Sequence, residues 1–165
     1  MPTNFLWYQG GTPYNGLLTS ASVTIISTEM AGLTSSAVTV PSATTITSSY
    51  TGQAIWGDLF LTLGTSIAAP VAGANVCGWF LTSPDGGTTF ESTSSWNPGP
   101  ARPPDFLIPF STLAYAAQAV AKTVGLVRLP ALEFKVAVQN NLQVTFSTTN
   151  VANPTLKVAP FAMQY

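Results

Sequence analysis

Between Leu132 and Val138 the chain alternates strictly: Leu132, Phe134, Val136 and Val138 fall on one side, Glu133, Lys135 and Ala137 on the other. A period of two is the signature of a β-strand with unlike faces, and it cannot be laid on a helix without scattering the apolar side chains around the axis. Leu142 to Ser147 alternates again. Asn140 and Asn141 lie between the two runs, and Asn tolerates positive φ, so the pattern predicts a tight hairpin turning at Asn140-Asn141. A further strand is predicted after the Asn153-Pro154 break, from Thr155 to Phe161. Ala54 to Leu63 and Asn75 to Thr82 are strands with apolar residues on both faces: Trp56 and Phe60 against Ile55, Leu59 and Leu61; Trp79 and Leu81 against Val76 and Phe80. Such strands belong in the middle of a sandwich or under a neighbouring subunit. Val38-Thr-Val40, Thr44 to Tyr50 and Gln118 to Leu129 complete a set of about eight strands. Helix is limited to one or two turns over Ser27-Thr-Glu-Met-Ala-Gly-Leu33, with Ser27 as N-cap and Gly32 as the stop. Short strands punctuated by Gly, Pro and Asn predict an all-β chain, a β-sandwich and most of all a jelly roll, as one domain over residues 1–165.

Two stretches fall outside these strands. Residues 1–16 carry Phe5, Trp7 and Tyr8 before Gly10-Gly11 and read as an N-terminal arm with aromatic anchors. Residues 92–104, Ser-Thr-Ser-Ser-Trp-Asn-Pro-Gly-Pro-Ala-Arg-Pro-Pro, form a long loop that its prolines stiffen towards polyproline II. Long loops without secondary structure are uncommon in compact domains and often functional. Trp79 is expected in the core. Trp96, in a polar, Pro-rich context, is the better candidate for an exposed contact. Trp and Tyr anchor protein interfaces and also stack on sugars. Phe5, Trp7, Tyr8, Trp96 and Arg102 are therefore the candidate partner-binding residues. The competing expectation is that the arm tucks into its own domain and the loop is a lid on the sandwich.

Composition narrows the function. Charged residues are 7% of the chain, against about 25% in ordinary soluble domains. The net charge is −1, and Arg102, Lys122, Arg128, Lys135 and Lys157 are scattered. No basic stripe for nucleic acid is present, and a domain this neutral tolerates contact with neighbours. Mean hydropathy is +0.32, yet no apolar run is long enough to cross a bilayer; Leu113 to Ala121 is short and broken by Gln118. Met-Pro-Thr-Asn-Phe lacks the cationic and apolar regions of a signal peptide. Cys77, the one cysteine, sits in an apolar segment and reads as a small buried hydrophobe.

Histidine is absent from the sequence, which removes Ser-His-Asp and Cys-His nucleophilic sites, His-ligated zinc and the commonest general base. The six carboxylates are Glu29, Asp58, Asp85, Glu91, Asp105 and Glu133. Asp58, beside Trp56 and Phe60, is the most notable, but a glycosidase needs two acids facing across a cleft, and Asp58 is expected to point outwards or pair with Arg128 or Lys135. Asp85-Gly-Gly is a better β-turn than calcium loop. No catalytic residue, metal or cofactor is predicted, and the chain is read as a non-enzyme.

Six segments together resemble a known family: Leu6-Trp7-Tyr8-Gln9-Gly10; Ser27-Thr-Glu-Met-Ala-Gly-Leu33; Ser83-Pro-Asp-Gly-Gly87; Arg102-Pro-Pro-Asp-Phe-Leu-Ile-Pro-Phe110; Leu129-Pro-Ala-Leu-Glu-Phe-Lys-Val-Ala-Val-Gln-Asn-Asn141; and Leu156-Lys-Val-Ala-Pro160. The chain is similar to the small structural proteins of tailed-bacteriophage virions, whose characterised members are jelly-roll head decoration, or cement, proteins. The resemblance implies a protein made in the host cytoplasm and carried on the outer surface of the head. It would bridge neighbouring copies of the major capsid protein, as a dimer or trimer, with no nucleic acid or membrane as partner. The alternative is a tail or baseplate module that binds host glycans.

Overall fold

The structure is a computed structural model and describes residues 6–9, 12–14, 23–46, 56–63, 73–93, 96, 102–110, 120–147 and 154–164. The described strands are β1 (Leu6–Gln9), β2 (Thr12–Tyr14), β3 (Val23–Ile26), β4 (Trp56–Leu63), β5 (Asn75–Thr82), β6 (Phe106–Pro109), β7 (Val120–Arg128), β8 (Phe134–Asn141) and β9 (Thr155–Gln164). Among the described residues the fold is all-β, with almost no helix and two antiparallel sheets. The larger runs β2-β1-β9-β4-β7, with β3 also paired to β9; the smaller runs β6-β5-β8.

Periodicity explains how the sheets meet. On β4, Gly57, Leu59, Leu61 and Leu63 are buried while Trp56, Asp58, Phe60 and Thr62 are half-buried. On β8, Phe134, Val136 and Val138 are fully buried. These inward rows share one apolar core with Ile25 and Ile26 of β3, Val76 and Phe80 of β5, Phe106 and Ile108 of β6, Val127 of β7, and Leu156 and Val158 of β9. Two antiparallel sheets that bury alternate residues in a common core are consistent with a β-sandwich. β4 and β7 slip register at Asp58: Gly57 opposes Val127 and Leu59 opposes Val124, so Gly125 and Leu126 together face one residue as a β-bulge.

β5 follows the predicted bounds, and β4, β7 and β9 match theirs within a few residues, with Ala54, Ile55, Gln118 and Ala119 outside the described residues. Val38-Thr-Val40 and Thr44 to Ile46 belong to one irregular run, residues 37–46, alongside β8, and the remainder of the predicted strand to Tyr50 lies outside the described residues. There the Thr39, Ser42 and Ile46 amides donate to Val138, Val136 and Phe134, and the Thr39 and Ser42 hydroxyls accept from the Val138 and Val136 amides. Side-chain oxygens thus stand in for main-chain carbonyls, which interrupts a regular ladder.

Three expectations are corrected. The hairpin at Asn140-Asn141 is not formed: β8 runs on through both residues, with Asn140 opposite Val76 and Asn141 opposite Asn75. Asn140 is fully buried. Its Nδ2 donates to the carbonyls of Leu33 (2.8 Å) and Val144 (2.7 Å), and its Oδ1 accepts from the Leu142 amide at 2.9 Å. The chain bends after it, at Gln143 (φ 61°), and carries Leu142 and Phe146 into the core without a return strand. The helical segment is a single 3-10 turn, Thr28–Met30, and the Ser27 side chain does not cap it. Instead the Glu29 carboxylate accepts from the Ser27 amide and, at 2.6 Å, from the Ala43 amide. Burial pushes the Glu29 carboxyl up, but the hydrogen bonds from Ala43 and its neighbours outweigh this and hold it below its ordinary value. Finally, residues 6–9 and 12–14 of the expected arm are not free: β1 pairs with β9, Trp7 opposite Met163 and Tyr8 opposite Ala162, and β2 pairs with β1, while the rest of residues 1–16 lies outside the described residues. Phe5 lies outside the described residues.

Candidate interaction surface on the smaller sheet

The outer face of β6-β5-β8 has its own small core. Cys77, Trp79 and Leu81 of β5 point away from the sandwich interior and pack with Ala137 of β8, Val38 and Trp96. The expectation of an exposed Trp96 is corrected. Trp96 is 9% exposed and Trp79 1%, and the rings meet edge to face with centroids 5.1 Å apart, a favoured aromatic geometry. Two large apolar rings in a polar loop and a sheet face remove most surface from water by covering one another. The 92–104 loop is thus a lid where it is described.

Arg102 pins that lid. Its Nη1 donates to Asp105 Oδ2 at 2.8 Å, its Nη2 to the Phe80 carbonyl at 3.0 Å and to Glu91 Oε2 at 3.3 Å, and its Nε to Glu91 Oε1 at 3.4 Å. Its own carbonyl accepts from Trp79 Nε1 at 3.0 Å. Partial burial alone would lower the Arg102 pKa; the hydrogen bonds to Glu91 and Asp105 outweigh it and raise it. Asp105 Oδ2 also takes the Phe80 amide at 2.7 Å, so the Arg102–Asp105 pair ties the loop to β5 through main-chain groups. The sequence proposed Arg102 as a contact residue and offered no sign of this partnership with Asp105.

Trp96 covers Trp79, and Asn75, Cys77 and Trp79 of β5, on the same face, also line a cleft. The cleft is open, about 540 Å³ in volume, and is lined further by Gln139 and Asn141 of β8, Leu107 of β6, and Arg102, Pro103 and Pro104 at its rim. Asn141 Nδ2 donates to Asn75 Oδ1 at 3.1 Å and lies 3.4 Å from Gln139 Oε1, while Gln139 Nε2 donates to the Ser36 carbonyl at 3.1 Å. Leu107 is 47% exposed. Burial pushes the Cys77 thiol up, keeping it neutral and a poor nucleophile. Sequence reading missed Asn75, Gln139 and Asn141, because a turn at Asn140-Asn141 hides the continued alternation through Gln139 and Asn141.

The remaining acids lie apart from the cleft. Asp58 is on β4 in the larger sheet, opposite Ala159, and a Cβ at Gly125 in the bulge would stand 3.1 Å from its Oδ1. Asp85 organises its turn: Oδ1 accepts from the Ser83 hydroxyl (2.7 Å) and the Thr89 amide (2.8 Å), and Oδ2 from the Thr89 hydroxyl (2.6 Å). Gly86 and Gly87, at φ 69° and 87°, supply the left-handed backbone this turn needs. No group of three His, Cys, Asp or Glu side chains placed to hold a metal occurs among the described residues, and none of their helices is long and apolar enough to cross a membrane. In comparisons with known proteins, no family model, curated protein or solved structure matches this chain.

Proposed function

We propose that this protein is a jelly-roll structural protein of a tailed-phage virion, a cement protein that binds the outer surface of the head and bridges neighbouring major capsid subunits. The observation that carries the reading is the strand order. Among the described residues, the eight extended segments apart from β1 and β2 are, in chain order, β3, residues 37–46, β4, β5, β6, β7, β8 and β9. One sheet reads first, eighth, third, sixth (β3-β9-β4-β7), and its partner reads second, seventh, fourth, fifth (37–46-β8-β5-β6). That order agrees with a doubled-over antiparallel ribbon wrapped into two interlocked Greek keys and supports the reading as a jelly roll, an architecture of many capsid and lectin domains. The β1-β2 hairpin is an addition to these eight segments, extending the larger sheet beyond β9.

Surface chemistry supports adhesion over turnover. The cleft holds carboxamides, prolines, a leucine and a neutral thiol, with the Arg102 charge answered by Glu91 and Asp105. Such groups hold a surface and offer no acid–base pair. A charge-poor protein present in many copies gains its hold from repetition, since modest contacts multiplied by symmetry give high avidity. Under this reading Trp7 and Tyr8, on the added hairpin, with the neighbouring Phe5, are the contact residues, while Trp96 and Arg102 act by shaping the lid.

The test is copy number. Quantitative mass spectrometry of purified particles of the phage that encodes this chain, with immunogold labelling, should count on the order of hundreds of copies per particle, spread over the head. A handful of copies at the tail would overturn the reading in favour of a host-binding module, and absence from the particle would overturn both. Removing residues 1–8 should lower head occupancy.

A further inference from the structure

We propose that the cleft on the outer face of β6-β5-β8 is a binding site for an extended, uncharged peptide segment of a partner, held through its main-chain amide groups. The inference rests on the adhesive reading above only for the source of that segment.

The floor of the cleft carries an unused donor and an unused acceptor on two directly paired residues. Asn75 and Asn141 are directly paired across β5 and β8, and Asn141 Nδ2 donates to Asn75 Oδ1 at 3.1 Å. That bond leaves Asn75 Nδ2 without an acceptor and Asn141 Oδ1 without a donor among the described residues. In an extended chain the N–H and C=O of one residue project from the same edge, which is how strands pair. A donor and an acceptor on two directly paired residues therefore offer partners to the N–H and C=O along one edge of an extended peptide. The rim suits the rest of such a segment. Leu107, Pro103 and Pro104 are exposed and offer apolar contact without main-chain rearrangement, since proline fixes its own φ. From Asn75 to Trp79 the floor is long enough for roughly four extended residues at about 3.3 Å each.

Charge and aromatic placement select the class of ligand. Among the described residues lining the cleft the one charged side chain, Arg102, is ion-paired with Glu91 and Asp105 at 3.3 and 2.8 Å, so these residues do not favour a charged guest. A saccharide is best held on an open aromatic face. Trp79 presents none: it is 1% exposed, Trp96 packs on it, and its Nε1 is committed to the Arg102 carbonyl. A neutral peptide fits what remains.

The full chain, labelled with ¹⁵N, is titrated with acetyl-Val-Thr-Val-Thr-Val-amide while the side-chain NH₂ signals of Asn75 and Asn141 are followed. Saturable shifts of both signals at millimolar peptide, unchanged by high salt, are expected. Loss of one hydrogen bond in Asn141→Ala should weaken binding about fivefold, with the amide fingerprint of the fold retained. If that variant does not fold, Leu107→Ser probes the rim in its place and should also weaken binding. No shift of the two amides, or shifts that vanish with salt, would overturn the proposal. So would stronger perturbation by an N-acetylglucosamine oligosaccharide than by the peptide, which would assign the cleft to a glycan. Because free peptide is used, failure here leaves the particle copy number untouched, and a failed copy number leaves this site standing.

Discussion

Asn140 shows how much one buried amide can decide. It joins β8 to Leu33 and to the bend at Val144 through three hydrogen bonds at zero exposure. Asn140→Ala removes the partner of the Val144 carbonyl and of the buried Leu142 N–H, while the Leu33 carbonyl keeps the Phe146 amide. Each unsatisfied buried group costs about 1–3 kcal/mol, so the variant should lose on the order of 3 kcal/mol of unfolding free energy, read from a urea midpoint shifted at constant slope. Asp85 makes a different kind of prediction. Hydrogen bonds from the Thr89 side chain, the Thr89 amide and the Ser83 hydroxyl lower its pKa from 3.8 to about 2. A carboxyl depressed on folding stabilises the native state above its unfolded pKa, and that contribution is lost as pH falls through the folded value. The Asp85 contribution is therefore complete above pH 3.8 and fades towards pH 2. An NMR titration of the Asp85 carboxyl should show the low midpoint, and Thr89→Val should move it back up.

At the scale of elements, the lid and its clamp are separable. Trp96→Ala empties a buried ring site over Trp79 and should cost about 3 kcal/mol, seen as a lower melting temperature. A variant of normal stability would return Trp96 to the role of an exposed contact. Within the clamp, Glu91 meets only Arg102 on a half-exposed surface, where ion pairs contribute about 0–1 kcal/mol. Asp105 carries both the Arg102 Nη1 and the Phe80 main-chain N–H. Asp105→Ala should therefore destabilise clearly more than Glu91→Gln when both are unfolded in urea side by side. Gly78 marks the other close approach in this region: a side chain there would overlap the Phe106 ring and stand 2.8 Å from the Ala137 carbonyl. Gly78→Ala should cost about 1–3 kcal/mol through overpacking.

For the whole molecule, the pairings are remote in sequence. β3 near the start pairs with β9 at the far end, and residues 37–46 pair with β8. Loop closure must precede the contacts that reward it, so folding belongs in the roughly millisecond-to-second range of non-local β proteins. Stopped-flow refolding should show this, and a microsecond phase carrying the full amplitude would contradict it. Circular dichroism should be β-dominated, with a helix signal far below the ordinary globular third.

Strand identity was legible because it is local. Alternation in Leu59-Leu61-Leu63 and Phe134-Val136-Val138 marks the core face whatever the partner strand, and the apolar content on both faces of Asn75–Thr82 foretold a strand covered twice. The Asp85-Gly86-Gly87 turn was legible for the same reason, since positive φ at glycine is a property of the residue. What the sequence left open were choices between local preferences and distant partners. Asn140 is a good turn former, yet its amide is worth more where it satisfies the Leu33 and Val144 carbonyls. Trp96 sits among polar and proline residues, yet the Trp79 ring, seventeen positions earlier, supplies the surface it covers. Trp7 and Tyr8 read as an arm because β9, their partner, lies at the other end of the chain. The cleft, too, exists only once β5 and β8 stand side by side, bringing Asn75 next to Asn141. Hydrophobic period and glycine geometry act within a few residues and survive in any reading of the sequence; register and the pairing of polar groups are set by segments that meet only when the chain has folded.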